Sequence, residues 1–458
     1  MKSTSEKEIL NIITNQRKYF DSNETKSIEF RLNALKRFKK AIISNESNIA
    51  DALWKDLHKS VEETYLTETS IVLGEIDNHI KHLKKWAKPK KVHTPLQLLP
   101  STSRIIYEPL GVALIVAPWN YPFQLLMNSL VGAISSGCCA VLKPSEYASN
   151  IALVMQNIIN ESFSSEYIDL VQGGRSVNKL LFEQRFDIIF FTGSPMVGKI
   201  VMKAAAEYLT PVVLELGGKS PCIVDKNANI NIAARRIAWG KTINAGQTCI
   251  APDYLFAHQS IKDELIQKIG ENIEKMHGKD VQKSKHFVRI INTKAFDKIE
   301  SYLQKGDIKF GGITDRNDRY IAPTIIDNVK EDFPIMQEEI FGPVLPVLTF
   351  DKIDKVISYV NKNEKPLAFY YFGKDKEAKD ILSKTTSGGA CINDTLMHIT
   401  NHNLPFGGVG NSGVGKYHGK ESFLAFSNQR GVVTTPTWID LPLKYAPFKY
   451  FNLIKRIV

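Results

Sequence analysis

No uninterrupted apolar run of about 18 residues, the length that crosses a bilayer, occurs in this 458-residue chain, so a membrane-spanning helix is not expected. C-x-x-C spacing is missing, and the five cysteines, at 138, 139, 222, 249 and 391, are odd in number. Neither a disulfide framework nor a zinc site is expected, and a reducing compartment fits. The polar start, Met1-Lys-Ser-Thr-Ser-Glu-Lys-Glu, lacks an apolar signal core, which predicts a cytoplasmic protein. There is no arginine-rich run. The excess of 59 Lys and Arg over 48 Asp and Glu, a net +11, is scattered over polar faces and reads as solubility rather than as a nucleic-acid surface. Internal repeats and low-complexity tracts are lacking as well.

What is present is an ordinary globular composition, 43% hydrophobic and 23% charged, with room for two or three cores. Residues from about 4 to 88 read as helices, with Ile28, Leu32, Leu35, Phe38 and Ile42 at three-to-four-residue spacing. Pro89 ends them. The stretch 93–108 carries two prolines and the strand-like Arg104-Ile-Ile-Tyr107. From Gly111, short apolar runs at 112–117, 140–143, 168–172, 187–191 and 212–215 alternate with helical patterns, which predicts a doubly wound parallel sheet. A ligand in such a sheet binds at the carboxyl ends of the strands. A second alternation over 216–415 predicts another α/β unit, so the fold class is α/β.

The stretch Asn244-Ala-Gly-Gln-Thr-Cys-Ile-Ala-Pro252 sets one cysteine among small residues, between a helical pattern over 229–243 and the strand-like Tyr254–His258. Gly246 permits a tight turn or a close backbone approach there. The same pattern also suits a structural cysteine packed as a small hydrophobe. Upstream, Glu215 closes an apolar strand in Glu215-Leu-Gly-Gly-Lys-Ser-Pro221. Thiol and carboxylate make a candidate nucleophile and base. No G-x-G-x-x-G follows the strands of the first unit. Instead Phe190-Phe-Thr-Gly193-Ser194-Pro195-Met-Val-Gly198 runs a strand through one glycine into a helix with Ser194 as N-cap, whose free N–H groups suit a phosphate.

These stretches, with Pro118-Trp119-Asn120-Tyr121-Pro122 and Glu338-Glu339-Ile-Phe341-Gly-Pro343, resemble the NAD(P)-dependent aldehyde dehydrogenases, in that family's order and over nearly the whole chain. Cys249-Ile-Ala-Pro-Asp-Tyr254 and Pro405-Phe-Gly-Gly-Val-Gly-Asn-Ser-Gly413 are similar to the class 3 branch, which includes fatty and aromatic aldehyde oxidisers. The resemblance implies the aldehyde dehydrogenase fold: a Rossmann-like, doubly wound cofactor unit of 1–89 with 110–215, an α/β catalytic unit of 216–424, a small bridging element of 90–109 with 425–437 that joins subunits of a homodimer, and a tail over 438–458. It implies Cys249 as nucleophile, Asn120 as oxyanion donor and Glu215 as base. Gly193, Ser194 and Gly198 would hold the pyrophosphate, Lys143 and Glu146 the adenine ribose, and Glu339 and Phe341 the nicotinamide ribose. Trp119 and Leu216 are counted with these cofactor contacts. The cofactor is left open between NAD and NADP, the aldehyde is unspecified, and no metal is implied.

Two other readings share some of these residues. A CoA-acylating enzyme on the same fold usually lacks the glutamate that Glu215 matches. A non-catalytic binding protein has no chemical need for Cys249, Glu215 and Asn120 together. In the tail, Trp438, Tyr445, Phe448, Tyr450 and Phe451 mix with Lys444, Lys449, Lys455 and Arg456. Packing is favoured there over peripheral membrane contact, because prolines at 436, 442 and 447 leave too little chain for a long amphipathic helix.

Overall fold

Val112–Val116 is apolar and buried at every position because helices cover both faces of the sheet it belongs to. In this computed structural model, which describes residues 3–440, 442–452 and 455, that strand is the pivot of a six-stranded sheet. The chain steps from it to Cys139–Lys143 and Ile168–Leu170 on one side, then to Ile188–Gly193 and Val212–Leu216 on the other, all parallel. The direction of winding therefore reverses between Val112–Val116 and Ile188–Gly193. Such a switch point is where ligands of doubly wound sheets sit. The five strands foreseen from sequence are all present, within a few residues of their expected bounds.

The sixth strand was not foreseen. Gly413–Val414, read from sequence as part of the second alternation, pairs antiparallel with Glu215 and Leu214 of the first sheet. Two residues are too few to show a period of two, so no sequence signal marked them.

The second sheet has seven strands, ordered 307–310, 324–327, 344–350, 254–258, 221–224, 368–372, 389–392, and only the first pair is antiparallel. A three-stranded antiparallel ribbon combines Lys90–Val92, Thr102–Pro109 and Ser427–Thr434. The N-terminal helices pack on the first sheet, where Gln16 donates to the Ala140 carbonyl at 2.9 Å.

Among the described residues of the tail, hydrogen bonds run between tail residues, such as Phe448 N–H to the Tyr445 carbonyl. Trp438 is 75% exposed, and Tyr445, Phe448, Tyr450 and Phe451 are also exposed. The expected packing thus has no counterpart on this chain's own surface for those side chains. Arg456, named with them, lies outside the described residues, as do Met1 and Lys2 of the polar start.

Candidate active site

The helix Ile230–Thr242 starts at Asn229, whose side chain caps the Ile232 N–H, and delivers the chain to a turn of unusual conformation. Asn244, Ala245 and Gly246 take φ of +51°, +50° and +70°, three left-handed residues in a row. Left-handed backbone is costly for residues with a Cβ, so the surroundings must hold it. They do so from several directions. Asn244 N–H donates to Glu63 Oε1 at 2.8 Å, and the Asn244 amide donates to the Asn120 carbonyl at 2.9 Å. The Gln247 side chain donates to the carbonyls of Asn244 and Arg289 and accepts from Ile291 N–H. A Cβ on Gly246 would lie 2.3 Å from the Gly342 carbonyl oxygen, so only glycine fits.

Cys249 follows this turn in the wall of a cavity of about 530 Å³, among Tyr121, Trp239, Ile243, Ile399 and Phe406. The thiol is partly open to the cavity yet surrounded by protein. Desolvation pushes its pKa well up, and the charges of Glu339 and Glu215 add to this, while the N–H groups of Cys249 and Ile250 act in the opposite direction. Tyr121 hydroxyl and Thr248 Oγ1 share a hydrogen bond of 2.7 Å beside it.

Asn120 is buried, 2% exposed, just past the Val112–Val116 strand. One hydrogen of its amide goes to the Gln247 carbonyl at 3.0 Å, and its Oδ1 has no partner. Glu215, at the end of Val212–Leu216, is 3% exposed and neither carboxylate oxygen has a hydrogen-bond partner. Burial raises its pKa well above the ordinary value, and the Lys416 ammonium offsets only part of that. Lys416 is itself held by the carbonyls of Gly407, Gly408 and Gly388. A buried carboxylate with no donor costs stability and is retained where chemistry needs it.

A second cavity, of about 540 Å³, is lined by Ser194, Pro195, Gly217, Gly218, Glu339 and Phe341 among others. Ser194 caps the helix Pro195–Ala206 by accepting from Val197 N–H, as the sequence foretold. Gly193 ends the strand before it, and Gly198, in the first turn, lies against Leu216. Glu339 Oε1 is buried without a partner, and the carboxylate sits so close to Gly217 that a Cβ there would be 2.1 Å from Oε2. Desolvation, with Asp253 adding, pushes Glu339 up to about 8. Phe341, at φ +53°, meets Trp119 edge to face with centroids 5.4 Å apart.

Lys143 and Glu146 do not line that cavity. Lys143 is buried and donates to the Pro144 carbonyl at 2.7 Å, its pKa lowered by burial to about 8. Glu146 is exposed, with its carboxylate against Gly174. Both stand at the carboxyl edge of the first sheet, beyond the Cys139–Lys143 strand.

Sequence reasoning missed three charged groups near the site. Glu63 lines the thiol cavity. Lys416 faces Glu215. Glu75 accepts from Gly419 N–H at 2.6 Å and bonds His79 and His402 at 3.1 and 2.7 Å. His402 is thereby tied to Glu75, and the buried His418, lowered to about 4 by desolvation, lies in the field of the same carboxylate. Among the described residues no group of three or more His, Cys, Asp and Glu is placed to hold a metal ion.

The match to known proteins is extensive. Residues 1–432 match the aldehyde dehydrogenase family. The chain is 46% identical to 4,4'-diaponeurosporen-aldehyde dehydrogenase of Staphylococcus aureus, over 95% of this chain and 96% of that one. It is 42% identical to the dimeric NADP-preferring aldehyde dehydrogenase of Canis lupus familiaris, over 96% and 98%. A solved structure of Staphylococcus aureus AldH in a substrate-bound state superposes with a TM-score of 0.96 at 45% identity, covering 98% of this chain and 99% of that one. With a thiol open to a cavity and these relatives, the chain belongs to the aldehyde dehydrogenase family, of class 3 type, and oxidises aldehydes to acids with NAD or NADP.

Proposed function

We propose that the substrate is a medium- or long-chain aliphatic or an aromatic aldehyde, and that Cys249, Asn120 and Glu215 perform its oxidation. The observation behind this is the thiol's place in a cavity walled by Tyr121, Trp239, Ile399 and Phe406. Apolar walls of this size recover the hydrophobic free energy of a chain or ring.

An aldehyde carbon is sp² and needs a fourth substituent before it can release hydride. Once its proton has passed to water in the cavity, the Cys249 thiolate adds to it, and the carbonyl oxygen becomes an oxyanion. The second hydrogen of the Asn120 amide and the Cys249 N–H are the donors that meet this charge. When bound, NAD or NADP accepts the hydride. Ser194 and its helix N-terminus suit the pyrophosphate, and the free Oε1 of Glu339, with Phe341, suits a ribose. The cleft fits such a group because Glu339 Oε1 lacks any protein donor there. Lys143 and Glu146, with Trp119 and Leu216, are assigned to the cofactor as well. The acyl group is then a thioester on Cys249. Glu215 takes a proton from water, which attacks the thioester carbon, and the thiolate leaves from the acid. Glu215 is within electrostatic reach of the thiol, since its charge raises the thiol's pKa.

An aldehyde panel from short to long chain, with aromatic members, read by NADH and NADPH absorbance, tests the reading. kcat/KM is expected to rise with chain length. A maximum at two or three carbons would overturn the apolar-substrate assignment.

The first sheet is assigned to cofactor binding and the second to catalysis, with 90–109 and 425–437 as the bridge. The protein is read as a cytoplasmic homodimer in which the tail packs on the second copy, because its aromatic side chains find no cover on their own chain. The 1–437 protein should then show altered kinetics or sedimentation, and neither form should float with anionic vesicles. Salt-sensitive flotation of the full-length protein alone would replace this with a peripheral anchor, at about 1 kcal/mol per basic residue near the surface.

A further inference from the structure

The polar wall of the thiol cavity belongs to a short, wide-turned helical segment. Val61–Thr64 continues directly into one turn of π-helix, Tyr65–Thr69, a rare form that is frequent at functional sites. Lys59, Glu63 and Glu68 project from this stretch into the protein. Lys59 Nζ lies 2.6 Å from Glu68 Oε1, 3.4 Å from the Asn120 carbonyl and 4.3 Å from the centre of the Tyr121 ring. Glu68 Oε2 accepts the N–H groups of Phe123 and Gln124, at the start of the helix Pro122–Ser136. Glu63 alone of the three faces the substrate cavity, and its Oε1 receives the N–H of Asn244.

That N–H opens the left-handed run that carries Cys249. Three consecutive left-handed residues, two of them with side chains, do not persist without outside support. Asn244 in turn donates to the carbonyls of Asn120 and Gln247, and Asn120 also donates to the Gln247 carbonyl. The bond that Asn244 N–H donates to Glu63 is therefore the one side-chain tie, beside those to Asn120 and Gln247, that holds from the cavity side the residue registering the nucleophile's turn against the oxyanion donor. We propose that Glu63 is a positioning residue for the reaction: its carboxylate clamps Asn244 and so sets the separation of Cys249 from Asn120.

The clamp has a pH dependence. Burial pushes Glu63 up to about 7, with the Glu68 charge adding and Lys59 and Asn244 N–H opposing. The groups that face it are Lys59, Glu68 and Tyr121, and around the cavity Glu62, Cys249, His277 and His286. A carboxylate accepts more strongly than a carboxylic acid, so the clamp is tight above about pH 7 and loosens below it.

This rests on the reading of Cys249 as nucleophile, which loss of activity in Cys249→Ala tests separately. Glu63→Leu and Glu63→Gln are compared with the unaltered protein for kcat, KM, dinucleotide affinity and the rate at which iodoacetamide alkylates Cys249, located by mass spectrometry. Leucine removes the acceptor and should lower kcat about 10²-fold, since a misplacement of about 1 Å costs that much, with dinucleotide affinity unchanged. It should also change the Cys249 alkylation rate. Glutamine keeps an acceptor oxygen but cannot titrate. It should restore kcat to within about threefold and abolish the inflexion near pH 7 in kcat and in alkylation rate. Leucine with kcat and alkylation within twofold of the unaltered protein would overturn the clamp. So would a glutamine variant as impaired as leucine, or one that keeps the inflexion.

Discussion

Cys249→Ala is expected to abolish NAD(P)-dependent aldehyde oxidation, with kcat falling by at least about 10⁴-fold, while the protein still binds the dinucleotide. The loss is this large because no other cysteine lines the cavity to make the tetrahedral carbon. The other free cysteines, 138, 139, 222 and 391, are buried and none lines the cavity. The substitution itself is mild for the fold, since a small side chain replaces another at a partly open position. Dinucleotide affinity by fluorescence quenching and melting temperature should therefore stay close to those of the unaltered protein. Turnover above about 1% of normal would remove Cys249 from the role of nucleophile.

Glu215→Gln should split the reaction in time. If Glu215 serves only the attack of water, the variant gives one equivalent of reduced cofactor on first mixing and then a steady rate lowered about 10²–10⁴-fold, the range for a lost general base. Stopped-flow absorbance separates the two phases. Loss of the burst as well would move Glu215 to an earlier step, the deprotonation of Cys249, whose thiol is held neutral in this environment. The same variant has a stability signature. Glu215 is an acid whose pKa is raised on folding, so the native state holds its proton over a pH range where the unfolded chain has lost it. The cost to stability is absent below the ordinary glutamate value and grows as pH rises above it. Glutamine removes that cost, so Glu215→Gln should melt at or above the unaltered protein at neutral pH, with the difference vanishing near pH 4.

How much of this was readable in advance follows from how far each signal reaches along the chain. Central strands of both sheets are apolar runs, so parallel strands such as Val112–Val116 and Ala368–Phe372 declared themselves, whereas the edge strand Asp307–Phe310, with its Asp and Lys, did not. Ser194 and Pro195 wrote a helix start in two letters. The thiol turn was legible as a turn through Gly246, but the left-handed Asn244 and Ala245 were not, because their conformation is imposed by Glu63, Asn120 and Gly342 from distant parts of the chain. Glu63, Glu68 and Glu75 looked like the solvated faces of amphipathic helices. Nothing local distinguishes a glutamate that meets water from one that meets a backbone N–H 181 residues away. Lys143 and Glu146 show the reverse case: a motif placed them correctly at a strand end, yet they lie apart from the cleft that Ser194 and Glu339 share.

The two-residue strand Gly413–Val414 imposes an order on biosynthesis. A ribosome adding about 5–20 residues per second needs roughly 10–40 s between releasing Glu215 and releasing its antiparallel neighbour. For that interval the Val212–Leu216 strand is the open margin of a nascent sheet, with backbone donors and acceptors free on one side. Exposed margins of this kind recruit other chains, and the hazard rises with the number of ribosomes on one message. A stall or premature stop anywhere between these points would release a polypeptide with its first sheet wound and its margin uncapped. Such fragments are natural clients for holdase chaperones and should be the first products to appear in inclusion bodies when this enzyme is overexpressed.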